Sequence, residues 1–387
     1  MATGLVHDER YFWIELGSYL PLGRYAQPFP AMDSPEGKRR ILNLFRASGI
    51  VKHLTEIEPQ LATESQLMRF HTEEYVARVK ALSSGYGGEV GDYTAICAGG
   101  YDIARLAVGG CIAAFDAILI GKVANAFALV RPCGHHAEKD RGRGFAVFSN
   151  VALAVLDAKA KHGIARVAVV DWDVHHGNGT QWAFYEDPSV LTISIHQDRL
   201  YPVESGALDE RGKGAGIGYN INVPLPPGSG HEAYVKTIER VIVPALRAFK
   251  PEFIAVACGF DANVLDPLGH MLCYSETYRK MTGLLKAVAD EVCSGRLAMC
   301  LEGGYSPVYI PYCAMPVIET LADIRTDVQD NFVGWISSMG GQELLPHQRQ
   351  VIDKAADLAA WLGRTTISKA RTGDSRLGRQ TSDRRRG

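Results

Sequence analysis

"VVDWDVHHGNGT", residues 169 to 180, decides the reading of this chain. An apolar stretch runs directly into two aspartates and two histidines packed within the six positions from Asp171 to His176. Apolar residues without polar alternation mark a strand buried on both faces, as in parallel sheets. Charges at the end of such a strand must be paired, neutralised by a pKa shift or bound to metal, because an unpaired ion is costly to remove from water. If the chain stays extended, Asp171, Asp173 and His175 share one side and Trp172, Val174 and His176 the other. Carboxylate oxygen and imidazole nitrogen are ordinary zinc donors, and a catalytic zinc keeps three protein ligands and one open position. Asp261, at the end of the apolar run "IAVACGFD", is placed to be the third ligand. The alternative is that these residues only cap a helix or make structural hydrogen bonds.

Outward from this stretch, apolar runs alternate with segments of helical period, the pattern of a parallel sheet covered by helices. Strands are expected at 125–130, 166–172, 190–196, 219–225, 252–259 and 296–304, and helices at 151–163 and 231–250. Open parallel sheets carry their sites beyond the C-terminal strand ends. Four polar clusters fall there: "RPCGHHAEKDRGRGF" (131–145), "DWDVHHGN", "GFDANVLDPLGH" (259–270) and "EGGYSP" (302–307). Their repetition argues for one shared site.

With 387 residues and 47% hydrophobic content, the chain can bury a large core; no repeat and no linker is seen before about residue 340, and residues 1–363 are expected to form one domain. A net charge of −2 argues against nucleic acid as a specific partner. No apolar run reaches membrane-spanning length, and the N-terminus lacks the pattern of a secretory leader. Eight cysteines without close CxxC spacing read as reduced thiols, so a cytoplasmic protein is expected. Self-association stays open. Residues 364–387, rich in arginine and serine and lacking apolar periodicity, are expected to form a basic disordered tail.

Taken in order, "RPCGHHA", "GFAVFSN", "DWDVHHGNGT", "DPSVLTISIHQ", "GYNINVPLPPG", "GFDA" and "EGGYSP" resemble the histone deacetylase family, in its class II branch with the bacterial histone deacetylase-like amidohydrolases. The resemblance extends over about residues 35 to 325. It implies an α/β arginase/deacetylase fold, with a central parallel sheet of about eight strands, helices on both faces and one zinc per chain. The implied reaction is hydrolysis of an N-acetyl amine, typically acetyl-lysine, to amine and acetate.

Carried over residue by residue, the resemblance places zinc on Asp173, His175 and Asp261. It makes His136 the general base and acid, His135 its electrostatic partner, and Tyr305 the donor to the developing oxyanion. Asp171 is to accept from His135, and Asn178 faces His136 where class I members have a carboxylate. An amide stabilises an imidazolium less than an anion does, so a lower His136 pKa is expected than with an aspartate partner. Gly144, Phe145, Tyr201, Leu268 and Gly304 are implied at the substrate tunnel. Leu268 stands where polyamine-specific relatives carry glutamate, which favours acetyl-lysine-like or neutral substrates. Arg40 matches an arginine of the inner cavity, and Cys133 replaces a proline. Potassium is implied at Asp171, Asp173, His175, Ser194 and Ile195, and a second potassium at the carbonyls near Phe184, Asp187, Val190 and Tyr219.

Other readings remain on the same residues. One is an acetylpolyamine or small-amide hydrolase, another a binuclear manganese ureohydrolase, which would need a DxHxD arrangement in place of DxDxHH. A third is a non-catalytic acetyl-lysine binding module, against which Tyr305 and the paired histidines argue.

Overall fold

The computed structural model covers residues 2–17 and 32–377, with the main chain alone described beyond residue 362. Eight strands, β1 (Thr3–Val6), β2 (Thr55–Ile57), β5 (Asn125–Ala128), β7 (Val167–Asp171), β8 (Val190–Gln197), β9 (Asn220–Leu225), β10 (Phe253–Cys258) and β11 (Leu297–Leu301), form the main sheet. A small second sheet is made by β3 (Gly88–Asp92), β4 (Thr94–Ile96) and β6 (Gly142–Arg143). The main order is β2-β1-β5-β11-β10-β7-β8-β9, with every neighbouring pair parallel. This is the arginase/deacetylase architecture, with helices on both faces.

All six expected strands form. Every residue of β7, β8, β9, β10 and β11 is buried, which explains the apolar runs of β7, β10 and β11, while β8 and β9 also bury Thr192, Ser194, His196, Asn220 and Asn222. The helix Asn150–His162 stops where Gly163 turns left-handed, at φ 69°. In 231–250 the expected single helix is continuous but loosens to a π-helical stretch at Ile238–Ile242 just before Pro244, whose ring lacks the N–H that regular helix pairing needs. Helices Gly100–Leu119 and Asn150–His162 pack against each other, as do Ser275–Cys293 and Ile310–Ala322.

One boundary differs from expectation. The helix Pro346–Leu377 runs through 364–377, where disorder was expected, while 378–387 lie outside the described residues. Polar composition does not break a helix: alanine, leucine, lysine and arginine are strong helix formers, and no proline interrupts 347–377. The first part of this helix packs along β9 and so covers an edge of the sheet. All eight cysteines are free and seven are buried. No helix among the described residues is long and apolar enough to cross a membrane.

The consequence for the site is topological. Strands β5, β11, β10, β7 and β8 are consecutive neighbours, and their C-terminal ends release the segments bearing His135, Tyr305, Asp261, Asp173 and Tyr201 respectively.

Beside this edge, His71 is buried against Phe148 and Tyr75, and its Nε2 accepts from the N–H of Ser149. Burial lowers its pKa from 6.5 to about 4. The unfolded chain therefore takes up this proton first. The resulting loss of stability is absent above about pH 6.5, grows as pH falls, and is complete near pH 4, where it amounts to roughly 3 kcal/mol. His71→Gln, which keeps an acceptor for Ser149, is expected to remove most of that loss. Denaturant titrations at pH 7 and pH 4.5 check it: the wild type should lose more stability between them than the variant.

Candidate metal centre and active site

Strand β7 ends at Asp171, and the chain then turns instead of continuing extended. Asp171 Oδ1 accepts from the N–H of Asp173 at 3.0 Å, and Asp173 Oδ1 accepts from the N–H of His175 at 2.9 Å. Each carboxylate bends the backbone two residues on, as aspartate commonly does in turns. This bending separates the roles expected of one shared face. Asp171 turns to His135 Nδ1 at 2.9 Å, while Asp173 and His175 turn to Asp261.

Asp173, His175 and Asp261 are buried, and one ligand atom from each lies within 4.8 Å of the others. His175 Nδ1 faces Asp173 Oδ1 at 3.1 Å and Asp261 Oδ2 at 3.2 Å. The remaining carboxylate oxygens are held by backbone donors: Gly303 N–H reaches Asp173 Oδ2 at 2.7 Å, and Val174 N–H reaches Asp261 Oδ1 at 2.7 Å. Gly303 admits no side chain, since a Cβ there would stand 2.1 Å from Asp261 Oδ2, 2.6 Å from Asp173 Oδ2 and 3.0 Å from the Tyr305 hydroxyl. The three oxygens therefore surround one small region.

The electrostatics ask for a cation. Burial, then the neighbouring Asp173, raises Asp261 to about 6. Burial opposes charge on His175 as well, yet Asp173 and Asp261 raise it to about 10. A proton held this firmly between two carboxylates marks a place for positive charge, and oxygen, oxygen and nitrogen donors suit a divalent ion.

Around this centre the two histidines differ. His135 is driven well above the ordinary imidazole value because, although burial opposes its charge, Asp173 and Asp171 outweigh it. His136 lies well below, first through burial and then through the charges of His135 and His175. Asn178 Oδ1 stands 2.7 Å from His136 Nδ1, and this hydrogen bond raises the pKa; the depression is owed to burial. Tyr305 is also raised by burial and stays a hydroxyl.

A cavity of about 270 Å³ leads to these groups. Phe145, Gly144, Tyr201, Leu268, Leu200, Met32 and Tyr93 line it, with His136, His175 and Tyr305. Four of the five expected tunnel residues are thus in place. Gly304 is not among the lining residues; its carbonyl is held from behind by Lys38 Nζ at 3.1 Å. Cys133 is buried, with its thiol pKa raised well above the usual value by burial, so it is packing and not a reactive thiolate.

Arg40 does not reach the interior. It is half-exposed and pairs with Glu36 one helical turn away, at 2.7 Å. Its neighbour Lys38 is buried instead, joined with Arg131 to Asp33 at 2.7 and 2.9 Å. Sequence reasoning missed this group, and also Glu302, whose Oε2 accepts from the N–H groups of Gly134 and His135 at 2.6 and 3.0 Å. It missed Asp266 too, which accepts from the N–H of Tyr305 at 2.7 Å. Glu302 and Asp266 stand inside quoted motifs and could have been found there. Asp33 and Arg131 are 98 positions apart and carry no local signal.

Ser194 lies opposite Asp171 in the register of β7 and β8, beside a gap of about 10 Å³ that both line. The carbonyls of Phe184, Asp187 and Tyr219 each already accept a backbone N–H, from Asp187, Val190 and Thr192.

The histone deacetylase domain family matches residues 32–321, a span that contains every one of these site residues. The chain belongs to the histone deacetylase family. It is similar to a histone deacetylase-like amidohydrolase of Pseudomonas aeruginosa, 44% identical over 334 residues, covering 85% of this chain and 88% of that one. A probable deacetylase of Archaeoglobus fulgidus is 39% identical, covering 83% of this chain and 87% of the relative. Among solved structures, the HDA15 HD domain superposes with a TM-score of 0.82 at 32% identity, covering 96% of this chain and 99% of that one. This histone deacetylase family member, class II-like in its homology, is a deacetylase or amidohydrolase acting on acylated amines, with a candidate metal triad at Asp173, His175 and Asp261.

Removing one ligand should abolish the metal. Asp261→Asn is expected to lower divalent metal content from about one ion per chain to a small fraction, measured by elemental analysis after dialysis. For the wild type, added ion at a thousandfold excess over Kd should stabilise folding by on the order of 4 kcal/mol, a gain absent from the variant.

Proposed function

We propose that the chain is a zinc-dependent deacetylase that hydrolyses N-acetyl-lysine or a similar neutral N-acyl amine. The observation that carries this reading is a narrow, mostly aromatic and aliphatic cavity that ends at the Asp173–His175–Asp261 triad, with His136 and Tyr305 beside it. Flat apolar walls suit the methylene chain of an acyl-lysine. A divalent ion at the triad supplies positive charge that acidifies water and polarises a carbonyl, and its two carboxylate and one imidazole donors favour zinc.

The chain's own residues divide the remaining work. His136 keeps its Nδ1 proton on Asn178 Oδ1, so its Nε2 carries the lone pair. With a pKa well below the usual value it is neutral at the start, takes a proton as water attacks, and returns it to the departing amine. His135, fixed by Asp171, supplies positive charge without needing to exchange its proton. Tyr305 donates its hydroxyl to the carbonyl oxygen as negative charge develops there, an interaction stronger in the transition state than in the bound substrate. Amide and water become amine and acetate. Among the described residues Asp173, His175 and Asp261 form the one cluster that could hold a metal ion, and Asp171 is engaged with His135, which disfavours a binuclear ureohydrolase. Potassium beside Asp171 and Ser194 belongs to the same reading, supported by the small gap that both line.

Tyr305→Phe is expected to lower kcat about a hundredfold with KM changed far less, since only a transition-state contact is lost. Steady-state kinetics on a fluorogenic acetyl-lysine peptide check this; unchanged kcat would remove Tyr305 from the mechanism.

Substrate class rests on Leu268, an apolar part of the cavity wall. A human relative 37% identical over 338 residues is named a polyamine deacetylase. Leu268→Glu is expected to shift the ratio of kcat/KM for acetylspermidine over acetyl-lysine peptide upward by about tenfold, through one added charge pair. A wild type that already prefers acetylspermidine would overturn the lysine assignment.

A further inference from the structure

The partner of His136 is an amide, and an amide has two unlike ends. Asn178 serves as an acceptor toward His136 Nδ1 only if its oxygen points there; flipped, it would present N–H groups and force the imidazole to keep its proton on Nε2, where a base is needed. Something must fix the amide. Asn178 Nδ2 donates to Glu138 Oε1 at 2.9 Å and, at a longer 3.3 Å, to the carbonyl of His136. A carboxylate only accepts, so the nitrogen end of Asn178 must face it.

Glu138 is in turn fixed from outside. Arg143 Nη1 donates to the same Oε1 at 2.9 Å, and Arg141 Nε donates to Oε2 at 2.8 Å. Arg143 also pairs with Glu204 and reaches the hydroxyl of Tyr201, a wall of the substrate cavity, at 3.3 Å. A continuous set of hydrogen bonds therefore joins His136 to the cavity rim.

We infer that Glu138 is a positioning residue that sets the tautomer of His136 by orienting the Asn178 amide, with Arg143 holding Glu138 in place. The inference rests on His136 being the base. It makes a demand that a merely structural role would not: once the residue at 178 has two equivalent oxygens, nothing remains to orient. Glu138 should then lose its value, and its charge should even become unfavourable beside a second carboxylate.

The test is a double-mutant cycle read by kinetics and by 15N NMR of the His136 ring in the metal-loaded enzyme. In the wild-type background, Glu138→Ala is expected to lower kcat about tenfold or more, with KM changed less, and to raise the fraction of His136 protonated at Nε2. Glu138→Gln, which retains an acceptor, should recover most of that loss. In the Asn178→Asp background, Glu138→Ala should leave kcat unchanged or raise it. Equal losses in the two backgrounds, no rescue by glutamine, or an unaltered tautomer ratio in Glu138→Ala would each overturn the inference. Failure of the underlying reading shows separately: His136→Ala would keep wild-type kcat, while in enzyme that retains His136 the tautomer ratio still answered to Glu138.

Discussion

Two carboxylates and an imidazole buried within hydrogen-bonding distance of one another are the constraint on which this molecule is organised. Asp173 and Asp261 are fully buried, and left alone such groups would cost several kcal/mol each. The protein meets part of that cost with main-chain donors, since Gly303 and Val174 give their N–H groups to the carboxylates. The rest calls for a positive charge shared among the three. That requirement dictates much of the neighbourhood: a turn after β7 that bends at each aspartate, a glycine at 303 where any side chain would collide, and a sheet whose five adjacent strands end together.

The same burial separates two chemically identical side chains. His135 and His136 are sequence neighbours with ring centres 3.9 Å apart, yet the pKa of one is pushed up and that of the other down. Both are buried; the difference lies in the charges around them, Asp173 and Asp171 beside His135 against His135 and His175 beside His136. Adjacent titratable groups with pKa values pushed in opposite directions are how one site assigns a fixed charge and a mobile proton to separate residues. Glu302 beneath them grips the turn that presents both rings.

Much of this was legible in sequence, for a physical reason. Strands buried on both faces are rich in apolar residues, and the six whose runs extend far enough to show it were read correctly. β1 and β2, at four and three residues, show too little pattern, whereas β5, no longer than β1, stands in an apolar run that continues to Val130. The metal ligands sit at the ends of apolar runs, where uncompensated charge is conspicuous. What was not legible depends on packing between distant segments. The buried Asp33, Lys38 and Arg131 look like ordinary surface charges in sequence, and Arg40, two positions from Lys38 on the same helix, was the wrong candidate because nothing local says which basic residue faces inward. The helix through Leu377 was missed because composition argues against a core, not against a helix.

The small three-stranded sheet ties these observations to substrate recognition. Gly144 and Phe145 both adopt left-handed backbone, at φ 51° and 68°, a conformation that a bulky residue rarely accepts. Such strain persists only where surrounding contacts over-determine it. Here they do: Arg143 and Ala146 exchange two backbone hydrogen bonds across the turn, while Gly144 and Phe145 donate to the carbonyls of Asp92 and Tyr93 at the end of β3. The turn aims the Phe145 ring into the cavity, 5.5 Å from the ring of Tyr305. Gly144 must be glycine in this position, since a Cβ would stand 2.5 Å from Cδ2 of His136. The minor sheet is therefore the frame that sets the tunnel wall against the reacting groups, and the main sheet is the frame that sets those groups against the ion.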